Sequence, residues 1–293
     1  MLTENQIYKK ITIVIVLYNS TDLVLECFKS IKNFRIIVVD NGKNEKILKK
    51  IENDFNIEKI IISKKNVGFG KGVNSAIDYI QTDFFLMLNP DTTINKESII
   101  GLYKTSLEYD PVASAPWVED DKSCYGLFPE NGKGIKRSNT EIKSAKLLNN
   151  KKPDGNCCVE VHKCCALLIN KKKFLSVKMF NPKYFLFWEE IDLCRKFRNN
   201  KFSLILNPEC NMIHHEGNSV NDNIATYCIK TFNHEYSHLI YFNVSKLNLN
   251  IYWKIIKYFF RSISYLLILN FKNSLKNFLK LLAIINYVLF KYN

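Results

Sequence analysis

The chain has 293 residues, enough for one large domain or a domain with an appendage, and 47% of them are hydrophobic, which excludes a disordered chain. The formal charge of +14 invites a nucleic-acid reading, yet only five of the 42 basic residues are arginine, the residue favoured for bidentate phosphate and base contacts. The charge is also localised, with eight Lys or Arg and no Asp or Glu from Tyr236 to Asn293, so nucleic acid is not an expected partner.

Residues 1–10 are polar, and the apolar run 11–17 is too short for a signal peptide and reads as a first strand. A helix is expected next, N-capped near Ser20 or Thr21. The pattern then predicts a strand over 35–39, a helix over 43–53, a strand over 57–63 and a helix over 71–80. A strand over 84–88, a helix over 95–109 and a strand over 112–115 follow. Strands alternating with helices of this length predict an α/β chain with a mainly parallel sheet covered on both faces. Residues 117–156 are rich in Lys, Asn, Gly and Asp and read as a long loop with short strands. An α+β stretch follows over 159–215, and beyond Asp222 the pattern is helical to the end.

Ligands of such sheets bind outside the carboxyl ends of the strands. Four polar clusters lie there: Tyr18-Asn19-Ser20, Asp40-Asn41-Gly42, Asn66-Val67-Gly68 and Asn89-Pro90-Asp91. The last is open to two readings, a turn in which Asp91 and Thr92 cap a following helix, or a metal carboxylate at the sheet rim. "NVGFGKGVN" (66–74) has glycines spaced G-x-G-x-G rather than as a dinucleotide fingerprint. It is read either as a backbone nest for phosphate or ribose, or as a helix entry that needs positive φ. "FWEEIDLCRKF" (187–197) gathers Glu189, Glu190 and Asp192 at a helix start, suited to helix capping or, beside Trp188, to general-base work. "NMIHHEGNS" (211–219) puts His214 and His215 at the end of a strand.

Two further features are weighed. His234, Glu235 and His238 match the helical His-Glu-x-x-His of zinc peptidases, without an obvious third ligand. In the tail, Lys254, Lys257 and Arg261, then Lys272, Lys276 and Lys280, lie on single helical faces opposite apolar ones. The longest uncharged runs there, 262–271 and 281–290, are half of the roughly 20 residues needed to span a bilayer. The tail is expected to lie on an anionic membrane, or to pack as a helical pair on the main domain or a second subunit. The nine cysteines are odd in number and form no CxxC, as expected of reduced thiols in a cytosolic protein.

In chain order, "IVIVLYNS", "IIVVDNG", "NVGFGKGVNSAI", "FFLMLNPDT", "FLFWEEIDLCRKF" and "NPECNMIHHEGNS" together resemble the family 2 glycosyltransferases of the GT-A fold, in particular their rhamnosyltransferase-like branch. The resemblance covers residues 11–220. It implies a GT-A domain over 1–221, with a nucleotide-sugar-binding half over 1–116 and an acceptor and catalytic half over 117–221. A helical, basic tail over 222–293 completes the chain.

The implied activity is inverting, divalent-metal-dependent transfer of a sugar, rhamnose by branch, from a nucleoside-diphosphate sugar to a hydroxyl of a lipid-linked surface glycan. By the same resemblance Asp91 holds Mg²⁺ or Mn²⁺ with His214 or His215. Tyr18, Asn19, Asp40, Asn41, Asn66, Gly68, Phe69, Asn74 and Asn89 line the donor pocket. Glu190, alone or with Glu189, is the base, and Trp188 and Asp192 face the acceptor. Glu190 stands where the family has Asp, and Cys164-Cys165-Ala166 stands where the family has a small Gly-Ala step. The implied location is the inner face of the cell membrane, peripheral and cytoplasmic. The rival readings are a zinc-dependent peptidase and a polyanion-binding module.

Overall fold

A computed structural model of the protein describes residues 3–42, 44–119, 125–126, 152–162, 164–215, 223–244 and 249–290. Two compact units are present, one comprising residues 1–181 with 190–221 and the other residues 182–189 with 222–293. Most of residues 117–156, expected to form a long loop, lie outside the described residues.

The first unit is built on a sheet of strands β1 (Ile11–Leu17), β2 (Arg35–Asp40), β3 (Ile57–Ile62), β4 (Phe84–Leu88), β5 (Thr92–Ile94), β6 (Ala113–Val118), β8 (Cys157–Val159), β10 (Ala166–Asn170) and β11 (Leu204–His214). Their order is β3-β2-β1-β4-β10-β6-β11-β5, with β8 also pairing β11. β1, β2, β3 and β4 pair in parallel, as do β6 and β11. β1 is buried along its whole length, as a parallel strand covered on both faces must be, which explains its unbroken apolar run. A separate ladder joins β7 (Tyr125–Gly126) to β9 (Val161–His162).

The alternation of strands and helices is as expected, with differences at the loops. The helix after β1 starts only at Val24, and its N-cap Leu23 makes no side-chain bond. Ser20 is instead held in a loop, its N–H donating to Asn44 Oδ1 at 2.7 Å. The helix expected over 71–80 is an α-helix at Phe69–Ala76 followed by a 3₁₀ turn at Ile77–Tyr79. After Asp91 the chain does not enter a helix; Thr92–Ile94 is a strand, and the next helix, Lys96–Tyr109, is capped by Asn95. None of the eight described cysteines forms a disulfide, and Cys27, Cys164, Cys165, Cys194 and Cys210 are buried.

Antiparallel β10 sits between β4 and β6, so Leu168 faces Leu86 on one side and Ser114 on the other. This strand seats the second half of the sheet against the first. Leu86 is fully buried at this seam, so a cavity there is costly. Leu86→Ala is expected to lower stability by about 2–5 kcal/mol in denaturant titration.

The second unit contains helices Ile224–Tyr241, Leu249–Leu267 and Phe271–Phe290. They pack around Leu239, Ile251, Tyr258, Leu281, Ile284 and Tyr287, and the Tyr287 hydroxyl donates to Val244 O at 2.8 Å. Among the described residues no helix is long and apolar enough to cross a membrane.

Candidate active site

β5 pairs antiparallel with the end of β11, setting Thr92 opposite His214, Thr93 opposite Ile213 and Ile94 opposite Met212. The ladder runs on through the His215 N–H, which donates to Asp91 O at 2.8 Å. Adjacent strand residues point to opposite faces, and the two histidines separate accordingly. His214 Nε2 lies 3.3 Å from Asp91 Oδ1, both side chains nearly buried at 11% and 9% exposure. His215 turns to Thr93, its Nε2 3.4 Å from Thr93 Oγ1.

The turn before Asp91 is fixed from inside. The Thr92 hydroxyl donates to Asn89 O at 2.6 Å, and the Asn89 N–H donates to Cys165 O at 2.8 Å. The Cys27 thiol donates to Asn89 O at 3.6 Å, and burial pushes its pKa up to about 12. It therefore acts as a small, protonated packing group.

Several residues expected to touch a donor also hold loops. Asp40 is buried at the end of β2. Its Oδ1 accepts from Gly42 N at 2.9 Å and Asn44 Nδ2 at 2.6 Å, and its Oδ2 accepts from Asn44 N at 3.1 Å. Asn44, which the motif reading passed over, thus ties the loop after β2 to Ser20 in the loop after β1. A Cβ on Gly42 would come within 2.8 Å of Tyr18 and 2.9 Å of Asn19, so only glycine allows the two loops this close. Asn19 itself has φ 44°. Asn41 Nδ2 donates to Gly68 O at 3.0 Å, while its buried Oδ1 has no partner among the described residues. Gly68 has φ 86° and ψ 169°, a conformation essentially reserved for glycine, and its N–H donates to Asn66 Oδ1 at 2.9 Å. Asn74 spends its amide on the Phe180 backbone, giving Nδ2–H to Phe180 O at 2.9 Å and accepting Phe180 N–H at 3.1 Å. Phe69, one turn earlier, packs edge-on against the Phe180 ring with centroids 6.0 Å apart.

The carboxylates of "FWEEIDLCRKF" divide. The helix runs Glu189–Asn199. Asp192 is buried and paired with Arg195 at 2.5 Å, a positioning contact within the helix. Glu190 is partly exposed, and its charge acts on the Cys164 thiol. The pKa of that thiol is held well above its ordinary value by its hydrogen bond with the Cys194 thiol, by burial, and by the charges of Cys194 and Glu190. Glu189 is buried.

In the helical unit, Phe187 and Trp188 take successive left-handed φ values of 65° and 68°. The Trp188 ring packs on His238 at 5.0 Å and Tyr241 at 5.1 Å. His234 packs against Phe187 at 5.5 Å. Glu235, the carboxylate a peptidase would use as base, is instead the buried anion of two lysines, Lys254 at 3.1 Å and Lys280 at 3.9 Å.

The sheet with its rim of loops defines a GT-A transferase fold. It superimposes on GalNAc-T7 bound to UDP, GalNAc and Mn²⁺ with a TM-score of 0.55 at 13% identity, covering 70% of this chain and 43% of that one. It also superimposes on the Pyrobaculum calidifontis mannosyltransferase PcManGT, in complex with GDP-Man and Mn²⁺, with a TM-score of 0.53 at 9% identity, covering 79% and 64%. Residues 12–171 match the family model Glycosyl transferase family 2, and the chain belongs to that family. Glu190 and His214 lie beyond the matched segment.

The chain is 31% identical over 143 residues to a poly(ribitol-phosphate) beta-glucosyltransferase of Bacillus spizizenii, covering 44% of this chain and 21% of the relative. It is 26% identical over 206 residues to the low-salt glycan biosynthesis hexosyltransferase Agl10 of Haloferax volcanii, covering 66% and 63%. The chain thus spans about a fifth of the first relative and under two thirds of the second.

His234 and His238 both have pKa values lowered from 6.5, first by burial, then by nearby lysines and only partly offset by Glu235. A depressed folded value means the unfolded chain binds more protons. The stabilisation is complete above pH 6.5 and is lost as pH falls through the folded values. The melting temperature of the protein is expected to fall between pH 7 and pH 5, and to fall less for His238→Gln. An identical fall in wild type and variant would remove His238 from the account.

Proposed function

We propose that the protein is an inverting glycosyltransferase that moves a sugar from a nucleoside-diphosphate sugar to a hydroxyl of a surface glycan. The observation that carries this reading is the meeting of Asp91 and His214 at the strand rim. A carboxylate oxygen and an imidazole nitrogen side by side suit Mn²⁺, which accepts nitrogen as well as oxygen, better than Mg²⁺, a hard ion that would be held through Asp91 alone. Asp91 and His214 would hold Mn²⁺, and when bound it offsets negative charge on the diphosphate leaving group.

The donor half is residues 1–116. Here the loops after β1, β2 and β3 enclose the nucleotide, with Tyr18, Asn19 and Asn41 offering contacts and Asp40, Asn44 and Asn74 keeping the loops in place. The buried Asn41 Oδ1 is an acceptor suited to a base or ribose donor. The acceptor half is residues 117–221. There Glu190 takes the proton of the attacking hydroxyl as its oxygen bonds to the anomeric carbon. The anomeric carbon–oxygen bond to the diphosphate breaks with its electron pair leaving on the diphosphate, and the configuration inverts. Glu189 is the second candidate for the base.

The relatives are named for glycan biosynthesis and for glucosyl transfer to poly(ribitol-phosphate), which supports a glycan or polymer acceptor; a lipid-linked one, met on the cytoplasmic side of the cell membrane, is the form this proposal takes. Resemblance to the rhamnosyltransferase-like branch makes rhamnose the first donor sugar to test.

Melting temperatures with UDP, dTDP, GDP and CMP, each with and without Mn²⁺, test the reading. One nucleotide at about 100 times its dissociation constant should add roughly 2.7 kcal/mol to wild type, and only with metal. Asp91→Asn and His214→Ala should each lose that gain, measured against each variant's own melting temperature without ligand. Stabilisation that persists in both variants, or that needs no metal, would sink the metal assignment. Absence of any nucleotide effect would sink the transferase reading.

A further inference from the structure

The helical unit has apolar surface that its own core does not use. In Leu249–Leu267 the inward face, with Ile251 and Tyr258, is buried against Leu239, Leu281, Ile284 and Tyr287. A second face stays outside. Trp253, Ile256, Phe260, Ile263 and Leu267 recur at i, i+3, i+7, i+10 and i+14, one stripe of a helix. All five are exposed, Trp253 to 68% and Leu267 to 78%. The stripe runs into the turn before the last helix, where Ile268, Leu269 and Phe271 are exposed too. Contiguous apolar surface of this kind marks an interaction site.

The charges beside the stripe say what covers it. Lys254 and Lys280 are committed to Glu235 inside the unit. Lys257 and Arg261 lie on the flank of the stripe, Lys272 and Lys276 follow the turn, and all four are exposed. No Asp or Glu occurs between Tyr236 and Asn293. A second copy applied to this face through a twofold axis would set these cations against their own counterparts with no acid to pair them. A leaflet with anionic headgroups offers the complementary pair, hydrocarbon for the stripe and phosphates for the amines.

We infer that this helical hairpin docks on an anionic lipid bilayer, lying in one leaflet with the stripe and the turn inserted and the four cations among the phosphates. Continuous with the turn, Ile224, Tyr227, Phe271 and Leu275 line a groove of about 590 Å³ that also holds Lys230 and Lys272. It is a seat for part of one lipid chain with amines for its headgroup. The inference shares with the proposed function only the idea of a membrane-borne acceptor, and binding is read without transfer.

The experiment is co-sedimentation of the full chain with phosphatidylcholine vesicles and with mixed phosphatidylcholine–phosphatidylglycerol vesicles, at low and high salt. The protein should pellet with the mixed vesicles and not with phosphatidylcholine alone, and high salt should release it. Combined Trp253→Glu, Leu267→Glu and Leu269→Glu should weaken binding at least tenfold, and Lys257→Glu with Arg261→Glu should do the same. Both variants should keep the melting temperature and the nucleotide response. If the apolar variant fails to fold, the charge pair, at exposed positions, decides alone.

Equal pelleting of wild type and the charge variant would overturn the inference. So would a lack of pelleting, or a dimer in sedimentation velocity that these variants dissolve, which would assign the face to a second copy. A chain that binds vesicles but not nucleotides would leave the docking face standing and remove the transferase reading.

Discussion

Three register positions, Thr92 opposite His214, Thr93 opposite Ile213 and Ile94 opposite Met212, hold a carboxylate beside an imidazole that enters the chain much later. Neither group has a reason to be there on its own. Burying a carboxylate is costly unless a partner of opposite charge, a donor or a cation accompanies it. A strand of three residues provides that company by bringing Asp91 to the edge of β11. The turn from Asn89 to Thr92, secured by the Thr92 hydroxyl and the Cys27 thiol, delivers the side chain to the rim. The remainder of the sheet, with β10 wedged antiparallel between β4 and β6, keeps the two halves in the register this contact requires.

Around that rim, polar side chains do two kinds of work. Asp40, Asn44, Asn66 and Asn74 satisfy backbone groups in their own or neighbouring loops. Buried backbone donors and acceptors demand partners, and in loops that pack this closely only short polar side chains reach them. Preorganisation follows, because loops held by their own hydrogen bonds do not have to be ordered by a ligand. Asn41 differs, with one end of its amide engaged by Gly68 and the other buried without a partner among the described residues. Glycines at 42 and 68 serve the same end, one by allowing close approach and the other by accepting a φ of 86°.

The helical unit follows a different logic. Its internal polarity is concentrated at Glu235, whose lysine partners come from the two helices that follow. The neighbouring histidines are kept from charging by burial and by the same lysines. A motif that in sequence matches a metal site is therefore absorbed into packing, with aromatic rings of 187–188 and 241–242 around the imidazoles. The physical difference is direction. A zinc peptidase site needs both imidazoles to converge on the metal and the carboxylate to be open to its bound water, whereas here the rings face aromatics and the carboxylate faces ammonium groups.

Local patterns determined the strands, the helices and the rim on which the polar clusters lie. Unbroken apolar runs such as 11–17 and 84–88 carry the parallel sheet in their composition, and six ordered motifs carry the family. The i, i+3, i+7 spacing of cations and apolar residues carries the surface helices of the tail. Periodicity is a property of neighbouring residues, so it survives in one dimension. What the tertiary structure alone decided depends on distance and direction between residues far apart in the chain. That includes the choice of His214 over His215 as the neighbour of Asp91, because the side chains of Asp91 and His214 lie far apart in the chain and meet only once β11 is laid against β5. It includes the use of Asp40 and Asn74 as loop fasteners, because the partners Asn44 and Phe180 are visible only in three dimensions. It also includes the short strand Thr92–Ile94, where pairing with β11 draws Asp91 and Thr92 away from capping the next helix and leaves that cap to Asn95.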